Sequence, residues 1–113
     1  MSAPGHPGLA AGRWQSLTLV EQLAHVGSEV ERALRAREQG LASRMEHAAV
    51  RALELFDLTA ADDRWRGARR RETLRARDYF CRVCFGGDAE SDAPDYLRRY
   101  FLQFAAAAGL KQR

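Results

Sequence analysis

Proline and cysteine are scarce in this chain. Its 113 residues include 3 prolines and 2 cysteines, which excludes a proline-rich chain and a disulfide scaffold. No run approaches the roughly 18 apolar residues of a membrane span, and residues 1–11 lack the basic start and apolar segment of a secretory signal. We therefore expect a cytoplasmic protein with no membrane role, and a single domain, because this length supports one modest core.

Sequence motifs of common enzyme classes are also missing. The chain has no glycine-rich phosphate loop, no G-x-S-x-G and no H-E-x-x-H, which are the motifs that position phosphates, nucleophiles or catalytic metals. Its carboxylate pairs either alternate around a helix, as Glu29 and Glu31 do, or lie in a turn, as Asp62 and Asp63 do. We predict that the protein is not an enzyme and uses no cofactor.

The two cysteines, Cys81 and Cys84, form a C-x-x-C motif. No second C-x-x-C and no H-x₃₋₅-H supplies the remaining ligands of a zinc site. No predicted strand precedes the motif, as a thioredoxin-like site requires. We favour two core-facing thiols late in a helix, with a metal or redox site as the alternative.

The apolar pattern predicts four helices. Residues 1–15 are rich in Gly, Pro and Ala and are predicted to be a flexible tail whose Trp14 docks on the body. The first helix begins at a capping box of Thr18 and Glu21 and ends at Gly40. Its apolar face has the helical spacing of Leu19, Leu23, Val26, Val30 and Leu34.

The three later helices complete the pattern. The third is predicted from about Arg64 to Phe85, with the pair Asp62 and Asp63 as its cap, and the fourth starts near Asp92. The predicted core face of the second helix is Leu41, Met45, Ala48, Ala52, Leu55, Phe56 and Thr59. That of the fourth is Tyr96, Leu97, Tyr100, Phe101, Phe104 and Ala108.

These segments predict an all-α fold, an antiparallel up-down four-helix bundle over residues 16–113. Gly27 lies at the edge of the first helix's apolar face, where a missing side chain lets a neighbouring helix approach closely. A three-helix body with a detached fourth helix is the alternative.

Basic residues are concentrated in the third helix. The whole chain carries a net charge of +3, but residues 64–82 contain eight arginines and two acids, a local charge of +6. Four of these arginines, Arg64, Arg71, Arg75 and Arg82, follow spacings of 7, 4 and 7 and fall in one stripe about 27 Å long. Guanidinium groups hold phosphate oxygens in pairs, so we predict that this row binds nucleic acid, RNA or DNA.

Two other interpretations of the row remain open. It is either a solvated face that forms ion pairs within the chain or a contact surface for an acidic protein or a sister subunit. Apolar residues off the main faces, Val50, Leu53 and Leu102, make a subunit contact plausible.

Two more arginines, Arg70 and Arg77, are predicted to face the core margin on the side of Leu74 and the two cysteines. A guanidinium in that position requires a carboxylate partner. Glu29 and Asp57 are the candidates.

Three segments carry a family resemblance: EQLAHVGSEVERAL at residues 21–34, RALELFDLT at 51–59 and YFLQFA at 100–105. They resemble a family of small, largely uncharacterised prokaryotic helical proteins. In size and layout that family is similar to the four-helix-bundle proteins of ribosomal-RNA intervening sequences and to the accessory variability proteins of diversity-generating retroelements. The resemblance implies a non-catalytic, basic homo-oligomer that binds RNA or DNA, with a reverse transcriptase as protein partner.

Overall fold

A computed structural model describes residues 12–86 and 92–111 of the protein. Within these residues there is no strand, and the four α-helices are α1 (Leu19–Glu38), α2 (Ala42–Ala60), α3 (Ala68–Cys81) and α4 (Ala93–Lys111). α1 packs against α2 and α4, and α3 packs against the same two helices. The predicted antiparallel up-down four-helix bundle is confirmed, and the alternative with a detached fourth helix is wrong.

The start and end of α1 follow from local sequence. Thr18 Oγ1 accepts a hydrogen bond from the Glu21 backbone at 3.2 Å, and Glu21 Oε1 accepts one from the Thr18 backbone at 2.9 Å. This is the predicted capping box. Gly40 follows the C-cap with a φ of 73°, a left-handed conformation that glycine adopts without strain. The five predicted core residues of α1 are all buried.

α1 and α4 approach each other closely at Gly27. A Cβ atom placed on Gly27 would lie 2.8 Å from Cβ of Phe101 and 3.1 Å from its Cγ. Because the glycine has no side chain, the Phe101 ring reaches the core, where it meets Phe56 at a centroid distance of 5.9 Å. The predicted close approach of a neighbouring helix at Gly27 is confirmed.

A residue before α1 contributes to the core. Trp14, assigned to the 1–15 tail, is fully buried in a 3₁₀ turn at Trp14–Ser16. Its indole Nε1 donates to Thr59 Oγ1 at 3.1 Å, which ties the chain before α1 to the end of α2. The prediction that Trp14 docks on the body is confirmed, and this residue of the predicted tail belongs to the core. The rest of the predicted tail, residues 1–11, lies outside the described residues.

α3 is shorter than predicted. Instead of one helix from Arg64 to Phe85, the chain forms a 3₁₀ turn at Asp63–Trp65, α3 from Ala68, and a π-helical turn at Arg82–Gly86. Gly67, with a φ of 74°, separates the 3₁₀ turn from α3. The left-handed conformation of Gly67 interrupts the helix. The 3₁₀ turn that contains Arg64 is therefore not a continuation of α3.

The predicted core of α2 and α4 is largely correct. Leu41 is the exception in α2, because it is the N-cap and its side chain is 38% exposed. In α4, Leu97 and Phe101 are buried, while Tyr96, Tyr100 and Phe104 pack half-buried against the core. Pro94 occupies the first turn of α4, where its missing N–H costs no helical hydrogen bond.

Candidate nucleic-acid interface

The buried face of α3 determines which of its arginines face solvent. Thr73, Ala76 and Phe80, at spacings of 3 and 4, are buried, and Val83 in the following π-helical turn continues this face. Leu74, predicted to lie toward the core, is 41% exposed instead. At 100° per residue the side opposite the buried face carries Arg71 and Arg75, and Arg82, the C-cap of α3 and first residue of the π-helical turn, continues that side.

These three arginines form an exposed row. None of them makes an ion pair or hydrogen bond with a side chain in the described part of the chain, although the Arg82 guanidinium lies 5.8 Å from the Tyr79 ring centre. The row extends over about 16 Å, the rise of eleven helical residues. It is therefore shorter than the predicted stripe of about 27 Å.

One acid shares this outward face. Asp78 is exposed and lies between Arg75 and Arg82 in the helical pattern, without an ion pair to either within 4 Å among the described contacts. Three guanidinium groups and one carboxylate leave a net positive charge on this side of α3. An external anion can therefore approach the row without first displacing an internal partner.

Arg64 does not belong to the row. Its Nε donates to Asp62 Oδ1 at 3.0 Å, its Nη2 donates to Asp62 Oδ2 at 2.7 Å, and the same Nη2 reaches the Leu17 carbonyl at 2.8 Å. Its guanidinium carbon also lies 4.5 Å from the centre of the Trp65 ring. The prediction of one helical stripe containing Arg64 is therefore wrong, because Asp62 neutralises this arginine and holds it against the start of α1.

A buried polar network explains why Asp62 can hold Arg64. Gln22, which is fully buried, donates through Nε2 to Asp62 Oδ2 at 3.0 Å and to the Trp14 carbonyl at 2.9 Å. Its Oε1 accepts from Trp65 Nε1 at 2.8 Å. The Arg64 guanidinium, and then Gln22, hold the pKa of Asp62 well below its usual value. No local signal in the sequence joins Gln22 to Asp62, since forty residues separate them.

Asp62 also caps the 3₁₀ turn, because its Oδ1 accepts a hydrogen bond from the backbone N–H of Arg64 at 3.1 Å. The predicted capping role of this acidic pair is thus found in Asp62, but on the turn before α3 rather than on α3 itself.

The two inward arginines of α3 behave differently from each other. Arg77 Nε donates to Asp57 Oδ1 at 3.0 Å, which confirms Asp57 as its partner. Glu29 bonds instead to Arg32 and Arg51, so its predicted pairing with α3 is wrong. The Nε atom of Arg70 is buried and has no hydrogen-bond partner among the described residues.

The C-x-x-C thiols are free and half-buried. Burial raises the pKa of the Cys84 thiol to about 11 and also raises that of Cys81. Nucleophilic cysteines require the opposite shift. Within residues 12–86 and 92–111, no three His, Cys, Asp or Glu side chains gather where they could hold a metal ion.

Two apolar residues on separate helices are exposed outside the core. Leu102 on α4 is 66% exposed and Val50 on α2 is 53% exposed, whereas Leu53 packs half-buried against the core. Leu102 borders a groove between α1 and α4 with a volume of about 560 Å³. None of the described helices combines the length and apolarity that a membrane span requires.

No protein-family model, curated protein or solved structure matches this chain. A functional proposal therefore rests on the arrangement of the charged and apolar side chains described above.

Proposed function

We propose that this protein is a non-catalytic bundle that binds nucleic acid, RNA in the first instance, through the outward face of α3. The supporting observation is that Arg71, Arg75 and Arg82 lie together in solvent with no carboxylate partner among the described residues. We exclude Arg64 from the residues proposed to contact nucleic acid because it already forms an ion pair with Asp62. Following the family resemblance of the sequence, we also propose that the protein forms a homo-oligomer and that its protein partner is a reverse transcriptase.

Arginine suits this role because its planar guanidinium presents paired N–H donors to two phosphate oxygens at once. Neighbouring members of the row are separated by about 6 and 10 Å of helix rise. If each arginine contacts one phosphate, the logarithm of the affinity should fall with the logarithm of salt concentration with a slope of about −2 to −3.

A fluorescence-anisotropy titration with a labelled single-stranded RNA tests the proposal, with a DNA strand of the same sequence for comparison. The double variant Arg71→Glu with Arg75→Glu should abolish binding and retain wild-type helicity, since both side chains are exposed. The control is Arg13→Glu with Arg99→Glu, which changes the net charge equally at exposed positions outside α3. Equal losses in both doubles, or no binding by the wild type at about 50 mM salt, would refute the role of α3.

The second candidate function is a protein-interaction bundle that oligomerises and has no nucleic-acid role. The observation that favours it is exposed Leu102 beside the α1–α4 groove, because apolar anchors and adjacent grooves are typical of protein interfaces. Sedimentation of the wild type and of Leu102→Asp tests it. An oligomer that Leu102→Asp dissociates supports this function, and a monomeric wild type at micromolar concentration contradicts it.

A further inference from the structure

A second basic surface lies in the groove between α1 and α2, on helices that the proposed nucleic-acid face does not use. Arg32 and Arg35 line it from α1, and Arg44, His47 and Arg51 line it from α2. Their spacings of 3 on α1, and of 3 and 4 on α2, place each set on one helical face. The groove encloses about 430 Å³, and no acidic side chain lines it.

A buried carboxylate beneath the groove orients two of its arginines. Glu29, whose side chain is 7% exposed, accepts from Arg32 Nη1 at 2.8 Å and from Arg51 Nε at 3.1 Å. Each of these arginines keeps further N–H donors that make no bond to a described residue. A guanidinium already held in place loses less conformational freedom when an anion binds to it.

The other two arginines are not held by a direct ion pair, although Arg98 by hydrogen bonding and, more weakly, the nearby Arg35 lower the pKa of the Glu38 carboxyl. Arg35 and Arg44 are exposed, one on each wall of the groove, and neither makes an ion pair within the described residues. Among the described ion pairs, Glu29 is the acid that binds the groove arginines, and Glu38, which acts on Arg35 from a distance, is already bonded through both oxygens to Arg98. The four guanidinium groups therefore leave a net positive charge around one concavity. The negative C-terminal end of the α1 dipole and the positive N-terminal end of the α2 dipole meet at the turn beside the groove, where they offset each other. The positive electrostatic field in the groove therefore comes from the arginine side chains.

We propose that the α1–α2 groove binds a compact, multiply charged phosphate anion, with an oligophosphate chain as the chemistry it fits. Convergent guanidinium forks recognise phosphate oxygens in pairs, and the volume of the groove lies in the range of small-ligand sites. No Phe, Tyr or Trp lines the groove, so it lacks a large aromatic surface on which a nucleobase could stack. The phosphates, rather than an attached nucleoside, supply the recognition.

Isothermal titration calorimetry of the full chain with sodium tripolyphosphate tests this site. Wild type should bind in the micromolar range, and Arg35→Ala with Arg44→Ala should weaken binding at least about tenfold, since two charge-assisted contacts are lost. The matched control, Arg71→Ala with Arg75→Ala, removes the same charge from α3 and should change the affinity by less than about twofold. All four positions are exposed, and far-ultraviolet circular dichroism verifies folding.

Two results would overturn the proposal: no measurable heat with tripolyphosphate, or equal weakening by the two doubles, which would indicate nonspecific attraction to net charge. Titration with ATP distinguishes a free oligophosphate from a nucleotide. Similar affinities for ATP and tripolyphosphate are expected, and ATP binding more than about tenfold tighter would contradict recognition through phosphate alone. The outcome is independent of RNA binding, because the control double alters the proposed RNA face and leaves the groove intact.

Discussion

Arg64 donates two hydrogen bonds to the buried carboxylate of Asp62, at 3.0 Å from Nε and 2.7 Å from Nη2. Gln22 donates to the same carboxylate from α1. The pair therefore joins the turn before α3 to the first helix and removes one arginine from the predicted binding row.

Replacing Asp62 with Asn should reduce the free energy of unfolding at neutral pH by about 1.5–3 kcal/mol, because buried hydrogen bonds from a charged donor lose their ionised acceptor. The pKa of Asp62 is lowered in the folded state. The contribution of the ionised Asp62 carboxylate to the free energy of unfolding is therefore complete above the pKa that Asp62 has in the unfolded chain, about 4. This contribution is lost as the pH falls below that value. The difference between wild type and Asp62→Asn in urea unfolding should shrink below about pH 4. The control, Asp63→Asn, alters an acid that is 81% exposed and should cost less than about 0.5 kcal/mol.

Gly27→Ala should destabilise the bundle although alanine favours helices. The propensity gain is about 1 kcal/mol, but a Cβ atom would meet the Phe101 side chain at 2.8 Å. Overpacking of this kind costs about 1–3 kcal/mol, so after the propensity gain we expect a net loss of up to about 2 kcal/mol. Gly109→Ala in α4 is the matched control, since its Cβ would meet nothing within 4 Å. Thermal denaturation should show Gly109→Ala at or above wild-type stability, and equal melting temperatures for the two variants would contradict the close α1–α4 contact.

Trp14→Ala should cost about 3–5 kcal/mol, the range for removing a buried aromatic ring. Trp14→Phe keeps most of the apolar volume but loses the hydrogen bond to Thr59, so its cost should be about 1–2 kcal/mol. Urea unfolding followed by circular dichroism measures both variants. Arg13→Ala, at the adjacent exposed position, should change stability by less than about 0.5 kcal/mol. A cost below about 1 kcal/mol for Trp14→Ala would show that residues 12–16 do not belong to the core.

Cys84 should react slowly with iodoacetamide in the folded protein. With its pKa raised to about 11, about one thiol in a thousand is ionised at about pH 8. The variant Cys81→Ser isolates Cys84, and mass spectrometry follows its alkylation with and without a denaturant. Unfolding should accelerate the reaction by at least about a hundredfold, because it restores the ordinary thiol pKa. Similar rates in both conditions would show that Cys84 is not desolvated.

The buried face of α3 shows where periodicity alone misleads. Two of its three buried residues, Thr73 and Ala76, are small or polar, while the larger Leu74 is exposed. A prediction based on the largest apolar residues therefore assigns the Leu74 side of the helix to the core, which is the wrong face. The outward positions of Arg71, Arg75 and Arg82 follow from the contact of α3 with its neighbours.

The helical class, the capping box of α1, its buried stripe and the turn at Gly40 could be predicted from local sequence, because each depends on residues within one or two turns of each other. The tertiary structure was needed to show that Asp62 binds Arg64 and that arginines from α1 and α2 meet in one groove. Asp62 binds Arg64 in a setting built by Gln22, and the groove exists only once two helices pack side by side. Helical spacing specifies which residues share a face, whereas the burial of a paired carboxylate such as Asp62, and the meeting of side chains from two helices, depend on which distant segments pack together.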